Sequence, residues 1–218
     1  MSRGGSSLAR GRTYEQQISH SLQSFSYAKQ PVTCEGNSAG AGHGVDVQFV
    51  ADGVRCGLEI KNSGGFEAGG RVVKVHDGRL VLDPLFRALV GDYVPFKSKI
   101  PSFMRGNKDF KTWLEEKDSF KDEVLTIADT SVVSKYYQDK GCDYIQIEGC
   151  GLYHTGMDVL GLGVPLFTCA TRVRIRCKRH GSTSMPSSVQ ASIIYDKKSI
   201  VPSPYDLLTR IPPAFKAE

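Results

Sequence analysis

The 218-residue chain lacks the sequence features that mark membrane, secreted and iron–sulfur proteins. No apolar run approaches the ~20 residues that a membrane-spanning helix needs, and the first residues lack the apolar stretch of a signal peptide. The six cysteines form no C-x-x-C pair, which argues against a structural zinc or iron–sulfur site. We therefore expect no membrane partner, and free buried thiols in a cytoplasmic, reducing environment.

The composition that remains is that of an ordinary globular protein. Hydrophobic residues make up 40% of the chain and charged residues 23%, and the net charge is a mild +5. This length fits one domain with a sizeable core, or a core with one elaborate insertion. We predict a single domain over residues 13–200 with an elaborated middle region at 62–130. A flexible basic arm (1–12) precedes it and a Pro-rich surface tail (201–218) follows.

Two apolar runs, residues 45–50 and 54–61, predict a β-hairpin. Asp52-Gly53 lies between them, and Asp-Gly between β-rich runs is a strong signal for a two-residue turn. Counting outward from this turn gives the register. The predicted pairs are Ala51 with Val54, Val47 with Leu58, and Asp46 with Glu59.

This register predicts one charged face and one apolar face of the hairpin. Asp46, Glu59 and Lys61 share the charged face, because side chains alternate along a strand. Directly opposed carboxylates would have Cβ atoms about 4.5–5.5 Å apart and would repel each other. A divalent cation removes that repulsion, since Mg²⁺ binds one or two carboxylates together with water and phosphate oxygens. With a lysine beside it to orient or deprotonate a water, the pattern predicts a metal-dependent phosphodiesterase site.

The same residues resemble the PD-(D/E)xK nuclease superfamily, which has the restriction-endonuclease-like fold. Glu59-Ile60-Lys61 follows Asp46 at the spacing of that motif, although Gly44-Val45 stands where many members have a proline. Residues 10–15 resemble the opening of archaeal Holliday junction resolvases, in which a helix carries a glutamate facing the metal site. The Ser/Gly-rich stretch 37–46 is similar to the approach to the first metal ligand in that group. The resemblance covers roughly residues 10–63.

The resemblance implies an α/β fold with a central mixed sheet flanked by helices, and we expect extra β-structure in the C-terminal third. It implies Mg²⁺, with Mn²⁺ as a substitute, held by Asp46, Glu59 and the backbone carbonyl of Ile60. Lys61 would position the attacking water, and Glu15 would act through water or a second metal. The implied function is a Mg²⁺-dependent DNA endonuclease, structure-specific in recombination or repair. A homodimer is expected, since cutting both strands favours two-fold symmetry.

Other interpretations stay open. A type II restriction endonuclease uses the same chemistry, and a non-catalytic DNA-binding module could retain the same fold. An ordinary surface hairpin with scattered charges is a third possibility, because about 0.6 E-x-K matches are expected by chance from this composition. A second match, Glu115-Glu116-Lys117, has no opposed aspartate and indicates an exposed helix face.

The N-terminal region predicts a basic arm followed by a helix. Arg10 and Arg12 belong to the arm, which is either a disordered tail or a DNA contact. A capping-box pattern at Thr13 predicts the helix start. Glu15 then lies in the first turn, where a solvent-exposed carboxylate favoured by the helix dipole is the alternative to a role at the site. The apolar stripe that would dock the helix on the sheet consists of Ile18, Leu22 and Phe25.

The remaining chain predicts mostly helices and strands around this hairpin. Asp77-Gly78 indicates a second hairpin that extends the sheet or forms a flap, and residues 84–130 predict short helices. A helix over residues 130–140, ending at Gly141, precedes a buried strand at 144–147. That order, helix then strand after the E-x-K strand, is the order that the nuclease core requires. Residues 149–156 predict a polar loop with a non-catalytic His154.

One strand in the C-terminal third carries a row of cations. Its residues lie on one strand face at ~6.6–6.8 Å intervals, a spacing that can follow a phosphate backbone. The alternative is an edge strand whose cations prevent aggregation. The predicted DNA contacts on this strand are Arg172, Arg174, Arg176 and Lys178.

Overall fold

The structure is a computed structural model that describes residues 4–35, 44–62, 67–76, 79–81, 115, 123–179 and 186–217. Side chains are described within 11–35, 44–62, 115, 126–174 and 192–217. The chain is mixed α/β and forms two compact units. Unit 1 comprises Met1–Phe66, Thr130–Cys169 and Asp196–Glu218, and unit 2 comprises Glu67–Asp129 and Ala170–Tyr195. The single domain predicted over 13–200 stays a prediction.

The elements are numbered in chain order. They are α1 (Gly4–Gln23), β1 (Phe25–Tyr27), β2 (Gln30–Pro31), β3 (Thr33–Glu35), β4 (Val47–Ala51), β5 (Val54–Lys61), β6 (Glu67–His76), β7 (Arg79–Val81), β8 (Glu123–Ile127), α2 (Val132–Asp139), β9 (Tyr144–Ile147), β10 (Gly151–His154), β11 (Thr171–Arg179), β12 (Pro186–Tyr195), a 3-10 turn (Lys197–Ser199) and β13 (Phe215–Ala217).

Each unit has its own five-stranded sheet. Unit 1 contains a mixed sheet in the order β10-β9-β5-β4-β3, and a small sheet in the order β13-β1-β2. Unit 2 contains an antiparallel sheet in the order β7-β6-β12-β11-β8. In the mixed sheet β9 runs parallel to β5, and α2 lies between them in the chain. The predicted helix and following strand are therefore confirmed, with Gly141 in the left-handed conformation just after the helix.

The predicted hairpin is confirmed, with one correction at its open end. Val47 pairs with Leu58 and Ala51 with Val54, and both turn residues have positive φ, as a type I′ turn requires. The expected pairing of Asp46 with Glu59 is wrong, because the ladder begins at Val47. Asp46 lies in a bend just before β4, where its side chain rather than its backbone meets β5.

The N-terminal helix docks as predicted but begins earlier. Ile18 and Leu22 are buried in the core of unit 1, beside the apolar face of the mixed sheet. Phe25, the third residue of the predicted stripe, is buried in the same core but lies beyond the helix, on β1. The helix starts at Gly4 rather than at Thr13. Residues 4–12, predicted as a flexible arm, are thus helical, because they contain no proline to end a helix that tertiary packing holds further along.

The Pro-rich end of the chain is part of the core of unit 1 and not a surface tail. Leu207 and Phe215 are buried in that core. Phe215 stacks on Phe25 with ring centroids 5.4 Å apart, and β13 pairs with β1. Burial of these aromatic rings offsets the cost of ordering an irregular segment, a gain that the local sequence pattern does not reveal.

Three further predictions need correction. Residues 151–154, predicted as part of a loop, form β10 and pair with β9. The second hairpin is present, with Val75 paired to Leu80. It belongs to the antiparallel sheet, so the alternative that it extends the mixed sheet is wrong, and the alternative that it forms a flap stays a prediction. Strand β11 is not an edge strand, because it pairs with β12 on one side and β8 on the other.

Several predictions fall on parts of the chain that the structure does not describe. They include the short helices predicted before residue 123, the Ser/Gly-rich stretch before Gly44, and all of the second E-x-K match except the exposed helical residue Glu115. Residues 123–127, which were also predicted as helical, form strand β8 instead, because they pair with β11. The five cysteines with described side chains are free, and four of them are buried, as expected. Among the described residues, no helix combines the length and apolar character that crossing a membrane would require.

Candidate active site at the end of strand β5

Asp46 and Glu59 come together where the β4–β5 ladder ends. Asp46 Oδ2 accepts a hydrogen bond from the backbone N–H of Ile60 at 2.8 Å. The bend before β4 thus directs the aspartate side chain towards β5, one residue beyond the last backbone pair, Val47 with Leu58. The contact of the Asp46 side chain with Ile60, the residue next to Glu59, therefore places the two candidate metal ligands, Asp46 and Glu59.

Glu59 is buried, with only 2% of its surface exposed. Its Oε1 accepts a short hydrogen bond from Lys61, and its Oε2 accepts one from Lys140 Nζ at 2.6 Å. The carboxylate does not face solvent, because the end of α2 covers it. Buried charge is costly unless it is paired, and here two ammonium groups pair it.

Lys140 reaches Glu59 because the turn after α2 lies against Gly57. A Cβ atom at Gly57 would stand 2.2 Å from the carbonyl oxygen of Gly141, so only glycine permits this approach. Asp143 then fixes the turn: its Oδ2 accepts from Gly57 N–H and its N–H donates to the Gly57 carbonyl, both at 2.8 Å. The same turn therefore starts β9 beside β5 and holds Lys140 above Glu59.

Both lysines also lie over one aromatic ring. Lys61 Nζ is 5.7 Å and Lys140 Nζ 5.8 Å from the centroid of Tyr137, which is buried on α2. A ring face attracts cations at this distance. Tyr137 thus helps to hold both ammonium groups near Glu59.

Helix α1 brings Glu15 to the same place. Gly11 lies so close to the end of β5 that a Cβ atom there would be 3.1 Å from Asn62 Nδ2. Tyr14 anchors the helix by accepting a hydrogen bond from the buried Gln146 of β9 at 3.0 Å. Burial raises the pKa of Glu15, and the negative charge of Asp46 raises it further. Glu15 therefore lies within electrostatic reach of the candidate ligands.

The cluster holds more negative than positive charge. Burial raises the pKa of Asp46, and the charge of Glu59 adds to this increase, while both lysines oppose it. The three carboxyl groups (Glu15, Asp46 and Glu59) outnumber the two ammonium groups (Lys61 and Lys140). Carboxylates that repel each other in a partly buried cluster favour binding of a cation.

The donor set fits a magnesium ion that keeps several waters. Within the described ranges there is no group of three or more His, Cys, Asp or Glu side chains able to hold a metal ion. Mg²⁺ does not need such a group, because one or two carboxylates, waters and substrate phosphates complete its octahedron. Asp46 and Glu59 supply two carboxylates. The backbone carbonyl of Ile60, between Glu59 and Lys61 on β5, is the third candidate oxygen ligand.

The predicted DNA-contacting residues lie in both units. Arg12 is exposed on α1, and its charge lowers the pKa of Glu15, against the larger effect of burial. Arg172 is exposed and Arg174 half-buried on β11 of unit 2. The side chains of Arg10, Arg176 and Lys178 fall outside the ranges in which side chains are described. His154 is half-buried on β10.

Sequence reasoning missed Lys140 and Tyr137. The Lys-Gly pair at 140–141 indicated the end of a helix, but nothing in the local pattern indicated that this end covers β5. Two other polar residues of α2, Lys135 and Gln138, are exposed. The α2–β9 turn, which contacts Gly57, decides which lysine reaches the site.

Comparisons of this chain with protein-family models, with characterised proteins and with solved structures find no significant match.

Proposed function

We propose that this protein is a metal-dependent DNA endonuclease with a restriction-endonuclease-like core. The observation that supports the proposal most is the convergence of Asp46, Glu59 and Lys61 at one end of β5. The order of elements agrees with it, since a docked N-terminal helix precedes the hairpin and a helix then leads into a parallel strand. The resemblance to PD-(D/E)xK nucleases in residues 10–63 points to the same chemistry.

Asp46, Glu59 and the Ile60 carbonyl would hold Mg²⁺ or Mn²⁺. The metal, when bound, supplies a Lewis acid for the phosphate and lowers the pKa of a bound water. The chain itself contributes the geometry. The hydrogen bond from Ile60 N–H to Asp46 Oδ2 fixes one carboxylate, and its second oxygen would be the one to bind the metal.

Lys61 would orient the attacking water. Its Nζ lies beside Glu59 Oε1, and only 19% of the Lys61 side chain is exposed. The ammonium group is therefore positioned by Glu59 more than it is solvated by water. From that position the ammonium group can hydrogen-bond the water, and after losing its proton it can accept one from that water. Hydrolysis forms a bond from the water oxygen to phosphorus and breaks the bond to the leaving oxygen, which takes up a proton.

DNA is the favoured substrate because unit 2 carries cations in a regular row. Arg172 and Arg174 alternate with the buried Val173 on β11. Arg12 on α1 is a further exposed cation, in unit 1 near Glu15. Arginines at strand spacing favour contacts to phosphates, which position a duplex without reading its sequence.

The proposal is tested by incubating the protein with plain duplex, nicked, flap, four-way and single-stranded DNA in Mg²⁺ or Mn²⁺. Wild-type protein should cleave at least one substrate. Asp46→Asn and Lys61→Met should lose about 10²-fold or more in rate, because each removes a group acting at the reacting phosphate. Asp52→Asn and Lys216→Met are matched controls, since both residues are exposed away from the site.

Two outcomes would contradict the proposal. Absence of cleavage on every substrate, with DNA still bound, would support the non-catalytic DNA-binding module. Cleavage that persists within threefold of wild type in Asp46→Asn would show that the activity comes from another site. Mass measurement in solution, with and without DNA, tests the expected homodimer.

A further inference from the structure

Glu59 has two lysine partners, one more than its charge requires. Lys61 follows from the sequence motif, but Lys140 arrives from the end of α2 and takes the other carboxylate oxygen at 2.6 Å. The side chain of Lys140 is only 15% exposed, so the chain bears the cost of desolvating a second ammonium group. A half-buried cation kept at such a cost calls for a role.

The charge of Lys140 also acts on Asp46, the other candidate metal ligand. It lowers the pKa of Asp46, acting against the larger effects of burial and of Glu59. The ammonium group of Lys140 thus interacts electrostatically with both carboxylates, as a bound divalent cation would. Two cations that bind the same carboxylate repel each other, even where the effective dielectric constant is about 20.

We propose that Lys140 is a positioning residue that competes with the divalent cation for Glu59. In the metal-free protein its ammonium group holds Oε2 and orients the buried carboxylate. A divalent cation held by Glu59 would replace Lys140 at Oε2, and the ammonium group would remain over the Tyr137 ring. This inference rests on the proposed function, because it takes Glu59 as a metal ligand.

The competition predicts that removing Lys140 strengthens metal binding. Lys140→Met keeps the length of the side chain but removes its charge, and it should raise the affinity for Mn²⁺ about tenfold. Lys140→Arg keeps the charge and should bind Mn²⁺ no more tightly than wild type. Lys135→Met is the matched control, because Lys135 is exposed on the same helix, and it should leave the affinity unchanged.

The affinities are measured by isothermal titration calorimetry with Mn²⁺ and with Ca²⁺, without DNA. A purely structural role for Lys140 would weaken metal binding on its removal, so the sign of the change decides. Affinity that is unchanged or lower in a folded Lys140→Met variant overturns the inference. If that variant does not fold, Lys140→Gln replaces it, since its amide can still donate to Oε2 without a charge.

The same titrations separate this inference from the proposed function. One outcome is that wild type binds the metal, Asp46→Asn abolishes this binding, and Lys140→Met shows no gain in metal affinity. That result overturns the competition but supports the metal site. Absence of metal binding in wild type and in all Lys140 variants overturns both. A gain in affinity in Lys140→Met, without cleavage of any DNA by wild type, supports the competition while the nuclease function fails.

Discussion

Strands β5 and β11 share a sequence pattern but differ in what covers them. Both are interior strands of five-stranded sheets, and both alternate charged with apolar side chains. On β5 the end of α2 covers the charged face, and Glu59 is buried. On β11 the charged face includes the exposed Arg172 and the half-buried Arg174.

This difference shows that the alternation of side chains along a strand determines which residues share a face, but not whether that face is buried or exposed. A covered charge must be paired, as Glu59 is by two ammonium groups. An exposed arginine is solvated by water and remains able to contact a phosphate. The first arrangement suits a small, defined site, and the second suits a long polyanion.

The largest effect is expected on the covered face. Glu59→Ala would leave the half-buried Lys61 and Lys140 without their shared carboxylate, so it should lower the free energy of unfolding by about 3–5 kcal/mol. Asp46→Ala removes one hydrogen bond from a half-buried residue and should cost about 1 kcal/mol. Chemical denaturation of both variants measures the difference. Equal losses of stability would show that Glu59 is not buried as described.

Gly57→Ala should have the next largest effect. Its Cβ would stand 2.2 Å from the backbone oxygen of Gly141, which cannot turn aside, and we expect a loss of about 1–3 kcal/mol or more. Gly11→Ala is the matched control. There the nearest atom is the amide end of Asn62 at 3.1 Å, which can rotate away, so thermal melting should change little. A Gly57→Ala variant as stable as wild type would contradict the close packing of the α2–β9 turn.

On the exposed face of β11 the effect should appear in binding rather than in folding. Arg172→Gln with Arg174→Gln should weaken binding to all DNA sequences by a similar factor. The slope of log K against log salt should flatten by about 0.9 for each lost phosphate contact. Fluorescence anisotropy at several salt concentrations measures this slope. An unchanged slope would show that these arginines do not bind phosphates, and a loss confined to one sequence would indicate base reading.

The effect that is smallest at neutral pH concerns the apolar face of β5, and it appears only as the pH rises. Burial raises the pKa of the Cys56 thiol from 9.0 to about 12. Because the pKa is higher in the folded state, the thiol makes its full contribution to the free energy of unfolding below pH 9. This contribution is lost as the pH rises towards 12. In Cys56→Ala the unfolding free energy should therefore fall less steeply between pH 9 and 12, by at most about 1.4 kcal/mol per pH unit. Identical slopes in variant and wild type would contradict the burial of the thiol.

Local patterns predicted the hairpin because its determinants are adjacent in the chain. Asp52-Gly53 defines the turn, and the turn defines the register from Ala51 to Leu58. The helix before Gly141 and the strand after it were predictable for the same reason. The pairing of Asp46 with Glu59 failed because pairing stops where the chain bends, and local alternation does not indicate where a bend begins.

The C-terminal region failed for a different reason. Phe215 and Leu207 lie far along the chain from α1, yet they complete its core. A Pro-rich segment has the composition of a surface tail, and only the aromatic contact of Phe215 with Phe25 shows that it is buried. Contacts at such a separation in sequence leave no periodic signal.

The sequence by itself determined the hairpin, its register and the set of residues that share its charged face, because these depend on a two-residue turn and on the alternation of side chains. Only the tertiary structure decided that this face is covered and that Lys140 is the second partner of Glu59. That outcome depends on Gly57, which lets the Gly141 carbonyl approach β5. Burial and ion pairing arise between elements distant in the chain, so their physical cause is packing, which no local pattern contains.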